Sequence, residues 1–374
     1  MQKTTLAMTI GLVLCLGTSA CQPKSEASDN EASQTQSTET PTIQSPKKPL
    51  ESSESKMAVT AQTCLALNKA MEKIDNTSKI EAIYAVQKQL KACLPTASNA
   101  EVLALLKSYQ TMYSQFLASD LDSDADYETF NSAIYELYYG DGLSSAQLET
   151  LMPHDQYLVG LIKSDADVSI YDQGEGFFSF THNLKAMADI FTPYLRPDQS
   201  EFIQRMAKDN QDTFWSDASV TVPFAELIER ALFWENYIQR YPNGYAVKDA
   251  KSLLDFYRYV LFYGSDNTQW TDDAIHEFLE PGYRQDLLKL TKRPNSGLAK
   301  DAQRFLNFLS LTDSERQSKY PAPDTDEEGY ERNEWQVARY QLNEVLQIPS
   351  IWGEDADHSR DCLNGVFCQD ESAE

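Results

Sequence analysis

An eighteen-residue segment occurs twice in this chain without a gap. RYPNGYAVKDAKSLLDFY, from Arg240 to Tyr257, lies over KRPNSGLAKDAQRFLNFL, from Lys292 to Leu309, at an offset of 52 residues. Seven positions coincide: Pro, Asn, Lys, Asp, Ala, Leu and Phe. In each copy a Pro-Asn turn opens onto apolar residues at helical spacing, so the repeated unit is a helix–turn–helix whose apolar face a single copy leaves open. Stacked copies bury it. The expected fold is therefore mostly α, an irregular stack of antiparallel helical hairpins over 223–310.

The same reading extends along the stack. Pro223 suits the first turn of the leading helix, and Phe224, Leu227, Ile228, Ala231, Trp234 and Ile238 keep one apolar face. The helix after the turn runs to Tyr263 and is apolar on two faces, through Leu253, Leu254, Tyr257, Val260 and Leu261, and through Phe256, Tyr259 and Phe262. A helix apolar nearly all round belongs in the middle of a stack. Gly264 then stops it.

Upstream, helices are expected over 58–74, after Ser78 with Glu81 as a capping box, and from Ser98 with Glu101 through Phe116. Others follow at 126–139, 144–152, 154–163, 183–195 and 198–209, the last opened by Asp198 and Glu201; a final one spans Tyr330 to Leu346. At most one small β-hairpin is expected, near 168–180. Cys64 and Cys93 lie on opposite sides of the Asp75-Asn76 turn, so a hairpin brings them face to face. A disulfide there contributes about 3–4 kcal/mol on the chain-entropy account. Cys362 and Cys368 flank Asn364-Gly365, a strong turn, as a small disulfide loop would.

The block Tyr237-x-x-x-Tyr241-Pro242-Asn243-x-x-Ala246-x-x-x-Ala250 resembles the junction between tetratricopeptide hairpins. It is similar to junctions in periplasmic and outer-membrane-assembly lipoproteins of Gram-negative bacteria. The resemblance covers about a quarter of the chain. The offset of 52 departs from the ~34 of that family, and no Trp-x-x-Leu-Gly-x-x-Tyr helix opens the repeat. The stack is tetratricopeptide-like and not a regular array.

Residues 1–20 read as a secretory signal, with Lys3 ahead of the apolar run Leu6 to Leu16. Thr18, Ser19 and Ala20 then lead to Cys21. This resembles the lipobox of bacterial lipoproteins, which implies that Cys21 is lipidated and becomes the mature N-terminus. By that family's sorting rule, Gln22 in place of Asp implies the outer membrane. In the 36 residues from Gln22 to Met57, Ser, Thr, Gln, Pro and Glu make up 25 and no aromatic occurs, so 21–57 reads as a lipidated cysteine on a disordered tether. After it come an N-terminal helical region over 58–119, the main helical domain over 120–350, and an acidic tail over 351–374.

The net charge is -25. The signal carries one positive charge and the tether four lysines against six acids, so residues 58–374 hold a net charge of -24. That balance argues against a nucleic-acid partner, since phosphates must be met by a basic patch. The expected partners are the membrane, through the lipid anchor, and an envelope protein, on the periplasmic or the outer face; a small-molecule ligand is left open.

Chemistry has little foothold. His154, His182, His276 and His358 stand far apart, with no metal motif, and no metal or cofactor is expected. His358 lies near Asp355, Asp357, Cys362 and Cys368, where a disulfide beside an acidic tail is the simpler reading. Asp120, Asp122, Asp124 and Asp126 start like a calcium loop, but Ala125 and Asn131 stand where Gly and Glu are needed. One carboxylate, Glu175 in Asp172-Gln173-Gly174-Glu175-Gly176, is a candidate general acid for a glycan- or peptidoglycan-acting hydrolase; a plain hairpin turn is the competing reading. An acidic inhibitor or immunity lipoprotein against a basic envelope toxin is a third reading. Tyrosines at helix ends are candidates for a binding groove: Tyr135, Tyr138, Tyr139, Tyr241, Tyr245 and Tyr263.

Overall fold

Short polar side chains decide where many of the helices begin. In a computed structural model of the chain, residues 64, 66–164, 166–326 and 328–351 are described. The expectations for the signal, Cys21, the tether, His358 and the Cys362–Cys368 loop lie outside the described residues. Residues 66–71 are helical, and α1 (Ile80–Cys93) follows, with Cys64 and Cys93 joined in a disulfide at a Cα–Cα distance of 5.6 Å. In α2 (Asn99–Phe116) Ser98 and Glu101 form the expected capping box, each side chain accepting the other's backbone N–H. Ser123 caps α3 (Asp124–Tyr139), Ser144 with Gln147 caps α4 (Ser145–Thr150), and Pro153 opens α5 (Pro153–Lys163).

Two expected caps are not formed. Lys79 is the last extended residue before α1, and the Ser78 hydroxyl bonds back to Asp75 in the preceding turn. Asp198 lies inside α7 (Pro197–Asp209), which begins after Arg196, with the Gln199 side chain accepting the Arg196 N–H. The Asp198 carboxylate reaches forward and accepts the N–H of Tyr245 at 2.8 Å. Between α5 and α7 lie the antiparallel strands β1 (Val168–Gly174) and β2 (Phe177–His182), then α6 (Leu184–Phe191), shorter than 183–195 because a 3-10 turn takes over at Thr192.

At most one hairpin was expected, near 168–180, and among the described residues there are two. The second pairs β3 (Trp215–Ser216) with β4 (Ser219–Val220). The repeat region then holds α8 (Phe224–Arg240), α9 (Val247–Tyr263), α10 (Pro281–Leu290) and α11 (Gly297–Leu309). Helix α8 packs on α9 and α10 on α11, and the two pairs meet through α8 against α10 and α9 against α11. The tetratricopeptide-like junction is well packed: Tyr237, Ala246 and Ala250 are buried, and the Tyr237 hydroxyl sits between the carbonyls of Asp198 and Tyr245, at 3.0 and 2.6 Å. Helix α12 (Asp313–Lys319) has its own Thr312–Glu315 capping box. The last helix, α13 (Glu334–Leu346), starts later than Tyr330, because Asn333 and Gln336 cap it.

A single apolar cluster runs from Cys64 to Ile348 through these elements. Among the described residues, no helix is long and apolar enough to cross a membrane.

Candidate functional site

Helix α3 turns Tyr135, Tyr138 and Tyr139 to one side, and they remain 49%, 48% and 59% exposed. Spacings of three and four residues put side chains on one helical face. The rings touch: Tyr135 and Tyr139 are 5.2 Å apart between centroids, and Tyr138 and Tyr139 4.7 Å. Beneath them lies Phe178 of β2, buried, with its centroid 5.9–6.4 Å from all three. The hairpin is held to α3 by the Phe178 N–H, which donates to Asn131 Oδ1 at 3.0 Å, and by the edge contact of Phe130 with Phe180.

A cleft of about 640 Å³ opens beside this platform. One wall is the hairpin, with Asp167, Asp172 and His182; the other is the chain leaving α7, with Asn210, Gln211, Asp212 and Thr213. That second wall is fixed from behind by a buried ionic network. Arg230 donates to the carbonyls of Asp209 and Asp212 at 3.0 and 2.6 Å, while Arg205 binds Asp209 at 2.7 Å and grips Glu229 in a fork at 2.8 Å. Such forks are geometrically rigid. Burial raises the Asp209 carboxyl above the usual range even though both guanidiniums oppose it.

The groups in the cleft are held in defined states. The Tyr139 hydroxyl donates to one Asp172 oxygen, which pushes its own pKa up to about 12, and the other Asp172 oxygen accepts the Gly174 N–H at 2.9 Å. The His182 ring stacks on Tyr113 at 4.2 Å. Burial lowers the imidazole to about 4, so it is neutral at pH 7. Its Nε2 is shut from solvent with no hydrogen-bond partner among the described residues. Tyr113, pushed up chiefly by burial, donates to Asp167 at 3.3 Å.

The other candidate residues lie elsewhere. Glu175 and Gly176 form a two-residue turn at the tip of the first hairpin, with φ of 52° and 80°, the left-handed pair that such turns require. Glu175 is exposed there and borders a separate hollow of about 420 Å³ with Trp215 and Asp217. Tyr241 is half-buried and donates to Glu201 at 3.0 Å; Tyr245 is buried in the junction; Tyr263 lies under the Arg339 guanidinium at 4.1 Å. His154 bonds the Phe116 carbonyl and His276 bonds Asp313, each at 2.7 Å. Asp120 accepts from Asn76, and Asp126 stands in the Ser123 cap. Among the described residues, no three His, Cys, Asp or Glu side chains converge as a metal site would need.

Two further hollows follow the repeat, a groove of about 620 Å³ between α8 and α10 and one of about 590 Å³ between α9 and α11. Asp172, Asp212 and His182 in the cleft, and Phe178 beneath the tyrosines, are the residues that sequence reasoning passed over as site candidates. Comparison with known protein families, with curated proteins and with solved structures found no match to this chain.

Proposed function

We propose that the chain is a lipid-anchored protein of a Gram-negative outer membrane, tethered through Cys21, whose helical stack is a protein-interaction module. Its docking surface is the tyrosine platform of Tyr135, Tyr138 and Tyr139. The observation that carries this reading is the platform itself: three adjoining tyrosines stay about half exposed on an apolar floor, Phe178, in a strongly acidic chain. Contiguous exposed aromatics mark interaction surfaces, and tyrosine is among the residues that dominate binding energy. The anchor and its membrane rest on the lipobox-like Thr18-Ser19-Ala20-Cys21 and the polar tether behind it.

A photo-cross-linking amino acid placed at Tyr138 in living cells tests the docking surface. Irradiation is expected to yield a discrete adduct with one protein, whereas the same group at exposed Tyr330 yields none. Identical patterns from both positions, or no adduct at Tyr138, would overturn the reading. Palmitate labelling lost in Cys21→Ser tests the anchor.

A further inference from the structure

The cleft beside the platform has a chemical polarity of its own. Its lining carries three aspartates, Asp167, Asp172 and Asp212, and among the described residues no lysine or arginine. We propose that this cleft receives the cationic head of a lysine or arginine side chain on an extended segment of the partner protein, with the aliphatic stem crossing Tyr138 and Tyr139. The proposal rests on the docking reading above and supplies its missing partner chemistry.

Four observations converge on a cation with an apolar stem. The carboxylates stand on both walls, Asp172 on β1 and Asp212 after α7. Both oxygens of Asp172 are oriented, one by the Tyr139 hydroxyl and one by the Gly174 N–H, so its charge is presented in a fixed direction. The rim is made of tyrosine rings, whose faces attract cations and give an aliphatic stem apolar surface to lie on. The His182 imidazole in the lining is neutral at pH 7, with its Nε2 shut from solvent, and adds no competing positive charge. A volume of about 640 Å³ suits one long side chain and its flanking backbone. An inorganic cation is a poorer occupant, because no three ligating groups converge among the described residues. The net charge of -25 draws such a partner in from a distance.

The test is a titration of the full chain with a fluorescein-labelled Gly-Lys-Gly-Lys-Gly peptide, read by anisotropy. Any acidic protein attracts lysine weakly, so the comparison is between two equal charge reversals. Asp212→Lys is expected to weaken binding about ten-fold, and Glu344→Lys, at an exposed position of α13, less than about two-fold. Tyr138→Ala is expected to weaken it about five-fold, and the Gly-Glu-Gly-Glu-Gly peptide is expected not to bind. Equal losses in the two reversal variants would reduce the effect to general electrostatics and overturn the proposal. So would tighter binding of an N-acetylglucosamine trimer than of the lysine peptide. The cross-link at Tyr138 reports on the docking surface and the titration on the cation, so each idea can fail without the other.

Discussion

Glu235 Oε1 accepts the backbone N–H of Gly297 at 2.6 Å, so a carboxylate from α8 closes the first turn of α11. The same buried carboxylate accepts the Leu298 N–H at 3.1 Å and the Ser296 hydroxyl at 2.6 Å. Gly297 occupies the place in the repeat held 52 residues earlier by Tyr245, whose N–H goes to Asp198. Each hairpin is therefore fastened to the preceding helices by one acid at the positive end of its second helix, where negative charge is favoured.

Removing that acid is expected to loosen the stack. Glu235→Ala leaves two helix N–H groups and a hydroxyl unpartnered in a buried place and is expected to cost about 3 kcal/mol. Glu235→Gln keeps an acceptor oxygen and should cost less than half as much. Urea denaturation measures both, and equal midpoints for wild type and Glu235→Ala would refute the fastening role.

The two glycines of the first hairpin make a sharper comparison. Gly174 has φ 89°, and a Cβ there would stand 2.9–3.1 Å from the Cβ, N and Cα of Asp217, at the tip of the second hairpin. Gly176 has φ 80°, with open space around the same position. Gly176→Ala should lose only the left-handed preference, about 1 kcal/mol, whereas Gly174→Ala also forces the hairpins apart and should lose at least about 2 kcal/mol. If the two variants unfold at the same urea concentration, the contact between the hairpins contributes nothing.

Sequence patterns reported helices well and the site poorly, for physical reasons. Ser98 and Glu101 form their box, while Ser78 and Glu81, the same letters, do not, because Asp75 engages Ser78 first. Thr312 and Glu315 carry the same legible pattern and do open a helix, α12. The second hairpin turns at Asp217-Ala218 with φ of 47° and 52°, a left-handed pair without the glycine or asparagine that signals one. The cleft draws on residues 138–139, 167–172, 181–184 and 207–222, and no local spacing unites them. What unites them is contact between distant segments: the Phe178 N–H on Asn131, and Arg230 on the carbonyls of Asp209 and Asp212. The exposed tyrosines of α3 were legible as candidates; which of the six tyrosines would share a surface was not, since Tyr241, Tyr245 and Tyr263 differ from them only in what packs above them.

His182 should make stability depend on pH in one defined window. In the unfolded chain an imidazole takes up its proton near pH ~6.5, whereas in the folded chain burial holds His182 to about 4. Between those values the unfolded state binds more protons, so stability rises with pH across the window. The contribution is complete above about pH 6.5 and is lost as pH falls through about 4, a change of up to about 3 kcal/mol. Carboxylates also titrate at the lower end, so the informative quantity is the difference from His182→Phe, which keeps an aromatic ring against Tyr113. The variant's denaturation midpoint should fall less than wild type's between pH 6.5 and 4; parallel curves would exclude His182 as the cause.

Arg316, on α12, ties the loop between α9 and α10 and the end of α11 to its own helix through backbone carbonyls. It is 1% exposed, and its guanidinium donates to the carbonyls of Ala274 at 2.5 Å, Ile275 at 2.6 Å and Phe308 at 3.3 Å while lying 4.1 Å over the Phe308 ring. A further Nη2 contact of 3.0 Å reaches His276 Nδ1; with Nδ1 accepting there, the ring's Nε2–H is the one that faces Asp313. Burial lowers the Arg316 pKa, the mark of a charge taken out of water, and the three carbonyl dipoles offset that cost. Arg316→Met keeps the stem and strands the carbonyls, which is expected to cost about 3 kcal/mol or more. Arg316→Lys offers one compact ammonium in place of a planar fork, cannot reach Ala274, Ile275 and Phe308 together, and should recover less than half of the loss. Guanidinium chloride unfolding of the three proteins decides the matter: a lysine variant as stable as wild type would show that charge alone, and not the fork, secures this loop.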